Sequence, residues 1–393
     1  MEGNRNHNKL MHIAFLTPEF PHEKVSHAAG IGTSIKNLTT ALVHNGCAVS
    51  VFVYGQKTTE IIIENGCTIH LIAKKKYRFA TWFFHRKFLQ QYLNSKIISE
   101  KIDLIEAPDW TGITAFMNLK APLVIRFHGS DTYFCHLEKR KQKFKNYWFE
   151  KLAIKKAVAF IAPTTFAGEV SKELFAIKNK NIQTIHYGLE LDKFKNQNPD
   201  NYEKGLILYI GTIIRKKGVL ELPSILNKVR ENHPEAHLIL IGGDSYDIST
   251  KSDSTWELLQ KELITEDRNS VSYLGKIPYQ EVQNYIKKAH VCVFPTFAET
   301  LGMVTIEAMA MQKPVVNSAI GWAQELIIDG ESGFLVHPKN HDLFSDRIVS
   351  LMSDPILVTE MGSKAVERVT AIFDIEKKAV ENILFYESLI KTS

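Results

Sequence analysis

Short apolar runs alternate with helix-like segments from one end of the chain to the other, and this alternation limits the possible folds more than any other feature. Such runs, apolar at successive positions, are typical of strands buried on both faces. Strands that alternate with helices predict parallel sheets covered by helices. The predicted strands are Ile13–Thr17, Val49–Tyr54, Thr68–Ile72, Leu104–Glu106, Leu123–Phe127, Ala159–Ala162, Ile182–Ile185, Leu206–Ile210, His237–Ile241, Val271–Leu274, Val291–Phe294, Pro314–Asn317 and Phe334–Val336.

The alternation pauses once, between residues 190 and 205, where the chain is polar and contains Asn, Asp, Pro and Gly. A chain of 393 residues is also longer than the roughly 100–200 residues of one domain. We therefore predict an α/β protein with two Rossmann-like, doubly wound domains, residues 1–189 and 206–370, that face each other across a cleft. Open sheets of this kind bind ligands beyond the carboxyl ends of their strands, so the cleft is the expected site.

Composition excludes several other classes of protein. Hydrophobic residues make up 45% and charged residues 23% of the chain, as in ordinary globular proteins. The net charge of +5 favours anionic ligands but is too small to indicate nucleic acid. The four cysteines form no C-x-x-C pair, which argues against a zinc site or a disulfide framework. The polar start lacks the pattern of a secretory signal, and no apolar run is long enough for a membrane span, so we expect a cytoplasmic protein.

The segment around Gly302 carries the strongest functional signal. A loop joins the strand Val291–Phe294 to a helix that begins near Gly302, with Glu299 in the loop and Glu307 in the helix. Backbone N–H groups at a helix N-terminus bind phosphate, and a carboxylate there accepts hydrogen bonds from sugar hydroxyls. These residues alone leave open the alternative that Glu299 caps the helix and Glu307 lies on its solvated face.

A second anion-binding signal follows the first strand of the C-terminal half. Gly211 allows a close turn, and the cations Arg215, Lys216 and Lys217 precede Gly218. Arginine and lysine neutralise a diphosphate. The alternative is a solvated basic loop.

A weaker signal of the same kind is Gly30-Ile-Gly32, which precedes a predicted helix over residues 34–45. Because residue 35 is Ile, the full G-x-G-x-x-G of dinucleotide-binding domains is absent. The following strand, Val49–Tyr54, offers no acid for a ribose, which argues against a nicotinamide-dependent dehydrogenase.

Two polar residues lie at the ends of predicted strands in the N-terminal half. His128 follows Leu123–Phe127, where it is a candidate polar contact or proton handler. Asp109 follows the strand that begins at Leu104 and is a candidate acceptor contact. The alternatives are a histidine with a structural role and an aspartate that caps the following helix.

In this order, the motifs resemble those of the retaining glycosyltransferases of family 4 (glycosyl transferases group 1), which have the GT-B fold. The resemblance covers nearly the whole chain and is more specific in the C-terminal half. It rests on Gly30-Ile-Gly32, His128-Gly129, the run from His186 to Phe194, Gly211 with Lys217-Gly218, Glu299 with Glu307-Ala-Met-Ala, Pro314-Val-Val, Gly321 with Glu325-Leu, and Asp329-Gly-Glu-Ser-Gly333-Phe-Leu-Val.

The resemblance implies that the C-terminal domain holds a nucleoside diphosphate sugar as donor. Glu299 would bind hydroxyls of the transferred sugar, Glu307 the ribose, and Arg215 and Lys217 the diphosphate. His128 would lie beside the transferred sugar and complete the catalytic set. The other implied donor contacts are the backbone of Thr300, Leu301, Gly302 and Met303, the turn at Gly211, and the loop at Gly30 and Gly32.

The implied reaction keeps the anomeric configuration, and the leaving phosphate oxygen takes the acceptor's proton, so positioning and charge stabilisation dominate. No Asp-x-Asp motif occurs at the predicted donor site, and we expect neither a metal nor another cofactor. The resemblance further implies a hexosyl group, a glycan, lipid-linked or small-molecule acceptor, and cell-surface polysaccharide or glycoconjugate assembly. A helix over 371–393 would pack back on the N-terminal domain. A GT-B-fold epimerase and a binding protein without turnover are the alternatives.

Four positions depart from the family pattern. Thr212 stands where Arg is usual, Tyr187 replaces Asn, Gln312 replaces Gly, and Trp322 replaces a second Gly. The first departure puts the phosphate contact in doubt, and we expect Arg215 to supply the missing charge.

Two segments, residues 74–88 and 139–156, combine cations with aromatic residues. Such segments either rest on an anionic membrane surface or direct an aromatic stripe to the core and a basic face to water. We favour the second interpretation. The first would give weak peripheral contact with the inner face of a membrane.

Overall fold

Two largely parallel sheets organise the chain. The structure, a computed structural model, describes residues 10–391. These residues separate into two units: the first comprises the described part of Met1–His136, Arg140–Gly188 and Ile375–Ser393, and the second comprises Leu137–Lys139 and Leu189–Asp374. The first unit holds a sheet of eight strands and the second a sheet of six.

Strands and helices alternate along the first part of the chain. Its elements are β1 (His12–Thr17), α1 (Gly30–His44), β2 (Ala48–Gln56), β3 (Glu60–Glu64), β4 (Cys67–Ala73), α2 (Thr81–Ser99), β5 (Leu104–Pro108), β6 (Leu123–Arg126), α3 (Asp131–Leu137), α4 (Phe144–Lys156), β7 (Ala159–Ala162), α5 (Thr165–Phe175) and β8 (Ile182–Thr184). The strand order is β3-β4-β2-β1-β5-β6-β7-β8. The neighbouring strands are parallel except for β3 and β4.

The edge strand β3 was not predicted from the sequence. It pairs antiparallel with β4 through a tight turn at Asn65-Gly66, where both residues have positive φ. Asn-Gly is a preferred hairpin sequence because both residues tolerate the left-handed conformation. Ile61 and Ile63 of this strand are exposed. The Asn-Gly pair between two apolar runs was the signal that could have revealed the hairpin.

Apolar side chains cover both faces of the first sheet. Phe15 and Val51 belong to a cluster on one face, whereas Leu16 and Phe52, the next residues along the same strands, belong to a cluster on the other. Successive side chains of a strand point to opposite faces, which explains why these strands are apolar at successive positions.

The second part of the chain continues the alternation. Its elements are β9 (Leu206–Ile210), α6 (Leu222–Asn232), β10 (His237–Ile241), α7 (Thr255–Glu262), β11 (Val271–Tyr273), α8 (Tyr279–Lys288), β12 (Val291–Phe294), α9 (Met303–Ala310), β13 (Val315–Ser318), α10 (Ala323–Leu326), β14 (Phe334–Val336), α11 (His341–Ser353), α12 (Pro355–Ile372) and α13 (Ile375–Ile390). Asp354 caps α12 by accepting hydrogen bonds from the N–H groups of Ile356 and Leu357, and Pro355 suits the first helical position.

The strand order of the second sheet, β11-β10-β9-β12-β13-β14, identifies where a ligand would bind. All its neighbouring strands are parallel. The strands β9, β10 and β11 follow one another towards one edge of the sheet. The next strand in sequence, β12, lies on the other side of β9, and β13 and β14 continue towards the opposite edge. Doubly wound sheets bind ligands at the carboxyl ends of the strands where the order reverses. The first sheet has a corresponding reversal between β1 and β5.

The polar segment 190–205 belongs to the second unit. Asn196 Nδ2 donates a hydrogen bond to the carbonyl of Met311 at 3.1 Å. The buried Lys313 donates through Nζ to the carbonyl of Pro199 at 2.9 Å. The segment is therefore attached to the sheet domain that follows it in sequence.

After Gly188 the chain continues into the unit that holds the second sheet, and after Asp374 it returns to the first unit. The helix α13 consequently belongs to the first unit, where Ile375 and Tyr386 join the apolar cluster that includes α1. The predicted fold class, two doubly wound α/β domains, is confirmed by the two sheets and their strand orders.

Candidate active site

Two loops meet at the reversal point of the second sheet. One follows β9 and contains Gly218, and the other follows β12 and begins at Pro295. Gly218 has a φ of 70°, and a β-carbon there would lie 1.7 Å from the carbonyl oxygen of Pro295, so only glycine fits. The N–H of Phe297 donates to the carbonyl of Lys216 at 2.8 Å. These backbone contacts hold the loops together.

Lys217 and Glu299 form an ion pair between these loops, with side chains that are 22% and 19% exposed. Glu299 also accepts a hydrogen bond from the N–H of Thr300 at 3.0 Å. Burial acts to raise the pKa of Glu299, but the charge of Lys217 and these hydrogen bonds outweigh it, so the pKa lies below its usual value. The structure thus brings a carboxylate predicted for the sugar and a cation predicted for the diphosphate into contact.

The helix α9 begins at Met303, directly after these contacts. Gly302 occupies the N-cap position with a φ of 99°, a left-handed conformation that glycine adopts without strain. Glu299 therefore does not cap the helix, contrary to the alternative interpretation. Thr300 and Leu301 are buried just before it. The segment predicted to hold the phosphate ends in a helix N-terminus, where N–H groups and the helix dipole attract an anion.

Glu307 lies on the buried side of α9 and is 6% exposed. The alternative that it lies on a solvated helix face is therefore wrong. Its Oε1 accepts a hydrogen bond from the hydroxyl of Tyr279 at 2.6 Å. Burial raises the pKa of Glu307 to about 7, and the Tyr279 hydrogen bond opposes that rise. Tyr279, which was not predicted from the sequence, is thus part of the candidate site.

Gly211 directly follows β9. Its N–H donates to the carbonyl of Ile241 at 2.9 Å. Its φ is 151°, and a β-carbon would lie 2.9 Å from the hydroxyl of Tyr209, so glycine permits this close approach. In this structure the Gly211 amide is used within the sheet, and its contact with the donor stays a prediction.

Arg215 pairs with Asp247, a residue that was not predicted from the sequence. Nε and Nη2 of Arg215 donate to the two carboxylate oxygens of Asp247 at 2.8 and 3.0 Å. Asp247 is buried and accepts two further hydrogen bonds from Thr250. The hydrogen bond from Arg215 keeps the pKa of Asp247 well below its usual value. The charge of Arg215 is balanced here by a carboxylate, and its role at the diphosphate stays a prediction.

In the first unit, the loop after β6 carries His128. Its Nδ1 lies 2.7 Å from the hydroxyl of Tyr187, and the two rings stack with centroids 5.5 Å apart. Burial and the nearby charge of Arg126 lower the pKa of His128 to about 3, so the imidazole is neutral at physiological pH. Two roles were predicted for His128, a polar contact and a proton handler. A neutral ring favours the polar contact.

Asp109 lies beneath the His128 loop and is 1% exposed. Its Oδ1 accepts a hydrogen bond from the N–H of His128 at 2.9 Å. Burial and repulsion by Glu150 raise the pKa of Asp109 to about 8. The side chain makes no capping hydrogen bond to the short helix that follows it. In this structure Asp109 positions the His128 loop, and its contact with an acceptor stays a prediction.

Gly30 and Gly32 lie inside α1, which begins at Gly30, four residues before the predicted start. A β-carbon on Gly32 would lie 3.0 Å from the backbone of Glu19 and of Phe20, so this glycine permits close packing. The N–H of Gly32 donates to Oε1 of Glu19 at 2.8 Å. Glu19 was not predicted as a site residue, and the approach of Gly30 and Gly32 to the donor stays a prediction.

A buried polar network that joins β5, β6 and α13 was also not predicted. Arg126 donates to both carboxylate oxygens of Glu106 at 2.7 and 2.9 Å and to Asn382 of α13 at 2.6 Å. Tyr386 donates to Glu106 at 2.6 Å. The sequence signal was a charged residue in each of two buried strands, since such charges are buried only when paired. The network attaches α13 to the strand that leads to His128.

Across residues 10–391, no group of three or more His, Cys, Asp or Glu side chains is arranged to hold a metal ion. Within the same range, no helix combines the length and apolar character that a membrane span requires. The expectation of a metal-independent reaction stays a prediction.

The fold and site together define a class of protein. Each unit is a doubly wound sheet, and the second unit places Lys217, Glu299 and a helix N-terminus at its reversal point, as expected of a GT-B glycosyltransferase. Residues 191–368 match the family Glycosyl transferases group 1, and residues 28–193 match Glycosyltransferase Family 4. The chain therefore belongs to the family 4, group 1 glycosyltransferases, and it is an enzyme of that class.

Relatives and solved structures agree with this assignment. An uncharacterised glycosyltransferase of Methanocaldococcus jannaschii is 26% identical over 365 residues, covering 88% of this chain and 90% of the relative. Sucrose-phosphate synthase from Thermosynechococcus elongatus has a TM-score of 0.79 at 22% identity, covering 98% of this chain and 100% of that one. An Anabaena protein in complex with UDP and glucose has a TM-score of 0.72 at 17% identity, covering 96% and 100%. The predicted GT-B fold is confirmed.

Proposed function

We propose that the enzyme is a retaining hexosyltransferase that uses a nucleoside diphosphate sugar. It transfers the hexosyl group to a hydroxyl of a glycan, lipid-linked or small-molecule acceptor. The donor binds to the second unit at the loops after β9 and β12. The observation that carries this proposal is the pairing of Lys217 with Glu299 beside the N-terminus of α9.

That pairing suits a diphosphate sugar because it offers charges of both signs within a small region. The lysine and the helix N–H groups attract the diphosphate. The Glu299 carboxylate, kept ionised by its neighbours, accepts hydrogen bonds from sugar hydroxyls. When the donor binds, Lys217 exchanges its bond to Glu299 for one to phosphate, and Glu299 becomes available to the sugar.

The nucleoside part of the donor lies along α9. Glu307 presents a carboxyl group whose two oxygens suit the two ribose hydroxyls. Tyr279 holds one of these oxygens and so fixes the orientation of the carboxyl plane. Recognition of the ribose then depends on the protonation of Glu307, since its pKa is about 7.

The transfer breaks the bond between the anomeric carbon and the diphosphate oxygen and forms a bond to the acceptor oxygen on the same face. The acceptor's proton passes to the departing phosphate oxygen. Lys217 and the N-terminus of α9 stabilise the negative charge that develops there. His128, whose pKa is about 3, contributes a hydrogen bond to the sugar, and the catalytic work of the protein is positioning and charge stabilisation.

The sugar class and the setting are extensions of this scheme. Sucrose-phosphate synthase and the Anabaena protein in complex with UDP and glucose support a hexosyl group. The common roles of the family support cytoplasmic assembly of cell-surface polysaccharide or glycoconjugates. No divalent metal or other cofactor is required, because Lys217 and the helix amides supply the positive charge at the diphosphate.

A donor scan tests the proposal. The protein is incubated with UDP-, GDP-, ADP- and dTDP-hexoses, and released nucleoside diphosphate is measured with and without oligosaccharide and polyprenyl-linked acceptors. At least one donor should show acceptor-dependent release that persists in EDTA. Proton NMR of the product should show the anomeric configuration of the donor.

Different failures contradict different parts of the scheme. Absence of both release and nucleotide binding for every donor would contradict the donor site. A product of inverted configuration would contradict retention alone, and loss of release in EDTA would contradict metal independence alone.

A further inference from the structure

The N-terminal ends of α2 and α4 carry exposed aromatic and basic side chains in the first unit. The two segments that contribute, residues 74–88 and 141–149, contain no Asp or Glu. Phe149 is buried, as the core-facing interpretation predicts, but Phe79 and Phe144 are 69% and 78% exposed. We call these two segments the basic-aromatic surface. Its outer rings are not explained by packing in the core.

Rings from the two segments of the basic-aromatic surface contact each other. Trp82 of α2 and Phe149 of α4 have ring centroids 5.0 Å apart. Phe116 contacts both Trp82 and Trp148, at 5.7 and 5.3 Å. Trp82 and Trp148 also remain partly open to solvent. The two segments, far apart in sequence, therefore present a single aromatic patch.

Cations lie beside rings of both segments. Nζ of Lys145 lies 5.7 Å from the ring centre of Trp82, and Nζ of Lys75 lies 4.1 Å from that of Phe88. Tryptophan rings and long cationic side chains are the combination suited to a bilayer interface, where rings enter the headgroup region and ammonium groups meet lipid phosphates. The other exposed cations of the surface are Lys74, Lys76, Arg78, Lys141 and Lys143.

We infer that the basic-aromatic surface docks the enzyme on an anionic lipid bilayer. Its charge is of one sign across both segments, which complements anionic headgroups. A second copy of the chain would bring the same positive charge to the contact, and like charges repel. A neutral glycan would bind to the rings but would gain little from the surrounding cations. The inference is independent of which donor the enzyme uses.

Vesicle sedimentation with the full chain tests this inference. The protein should bind vesicles of phosphatidylcholine that contain roughly 30% phosphatidylglycerol, and bind pure phosphatidylcholine vesicles at least about tenfold more weakly. High salt should release it, because charge attraction between exposed groups is screened. No binding to anionic vesicles, or binding that is insensitive to both lipid charge and salt, would overturn the inference.

Paired variants locate the contact on the rings. The double variant Phe79→Ser and Phe144→Ser removes the two most exposed rings and should weaken vesicle binding at least about fivefold. The control double variant, Ile356→Ser and Leu384→Ser, removes apolar side chains that are 70% and 62% exposed elsewhere. It should bind vesicles as the wild type does. Equal effects of the two double variants would overturn the assignment to this surface.

Charge variants give a second, independent measurement. The double variant Lys141→Glu and Lys143→Glu should weaken binding to anionic vesicles at least about tenfold. The control double variant, Lys204→Glu and Lys261→Glu, changes exposed lysines of the second unit and should bind anionic vesicles as the wild type does. Donor-dependent release without lipid should be unchanged in all four double variants, which shows that they are folded. If the ring variant instead changes the oligomeric state in sedimentation velocity and leaves vesicle binding intact, the surface is a contact between copies and the lipid inference is wrong.

Discussion

The hydroxyl of Tyr279 lies 2.6 Å from Oε1 of Glu307, and this contact joins the start of α8 to the buried face of α9. Burial raises the pKa of Glu307 to about 7, and the phenol opposes the rise by donating to the carboxylate. Hydroxyl groups donate more strongly to a carboxylate than to a neutral acid. Nucleotide binding should therefore strengthen as the pH rises through 7 and should release a proton.

Replacing the phenol should move this pH dependence. In Tyr279→Phe the Glu307 carboxylate loses a donor, so its pKa rises further, and nucleotide affinity at pH 7 should fall by about threefold to tenfold. The midpoint of the affinity profile should shift to higher pH, with little change in kcat. Calorimetry between pH 6 and pH 9 in buffers of different ionisation enthalpy measures both effects. Tyr285→Phe on the same helix is the control, and identical profiles for the two variants would contradict the role of Tyr279.

The Lys217–Glu299 pair should be essential for turnover but not for folding. Glu299→Gln and Lys217→Met should each lower kcat/KM by about a hundredfold. Lys217→Met removes the cation that stabilises the negative charge developing on the departing phosphate oxygen, and Glu299→Gln weakens the hydrogen bonds that position the sugar. Since the pair is partly exposed, the free energy of unfolding should change by no more than about 1–2 kcal/mol. The double variant should lose less than the product of the single losses. Lys339→Met, which removes a more exposed lysine from an ion pair with Glu221, should keep wild-type turnover. Near-normal activity of either site variant would refute the assignment.

Asp109 should make the enzyme less stable as the pH rises. Its pKa in the folded protein is about 8, well above the value of about 4 in an unfolded chain. The folded state therefore holds this proton more tightly, and stability falls as the pH rises from about 4 to about 8. Asp109→Asn has no proton to lose at this position. Its free energy of unfolding, relative to that of the wild type, should therefore increase by at least about 2 kcal/mol from pH 5 to pH 9.

Urea unfolding of the wild type and of Asp109→Asn at pH 5 and at pH 9 measures this change in the free energy of unfolding. Asp253→Asn, at an exposed position of the second unit, is the control and should follow the wild type. A constant difference between Asp109→Asn and the wild type across this range would show that Asp109 is ionised in the folded protein.

Gln312 should be a site of backbone strain. Its φ is 57°, in the left-handed region where a β-carbon costs about 1–2 kcal/mol, and the family usually has Gly at this position. Gln312→Gly keeps the N–H that donates to the carbonyl of Met309 and should raise Tm by about 1–3 °C. Gln283→Gly within α8 should lower it, because glycine weakens a helix interior. A lower Tm for Gln312→Gly in thermal unfolding would show that the Gln side chain contributes more than the strain costs.

Much of the fold and part of the site could be predicted from local patterns. The strands Ala159–Ala162, Leu206–Ile210 and Phe334–Val336 have the predicted bounds, because hydrophobic runs between turn residues are visible in a single sequence. The placement of Glu299 before a helix, and of Glu307 within it, followed from Gly302 in the same way.

Other features could not be predicted because they join distant parts of the chain. The ion pair of Arg215 with Asp247, 32 residues away, was not predicted. The hydrogen bond from the amide of Gly32 to the carboxylate of Glu19 was not predicted either. A cation or a glycine in a sequence shows what it can bind, whereas its actual partner depends on which loops the sheet brings together.

By itself, the sequence determined that this protein is a doubly wound α/β enzyme of two domains, and it determined which residues follow the strands at their carboxyl ends. Periodicity, glycine placement and the order of motifs are local properties, so a single chain displays them. Only the tertiary structure decided that Lys217 meets Glu299, that Tyr279 donates a hydrogen bond to Glu307, and that Asp109 lies beneath the loop of His128. The physical reason is that charge pairing and desolvation depend on distance and burial, which the strand order establishes only when the chain has folded.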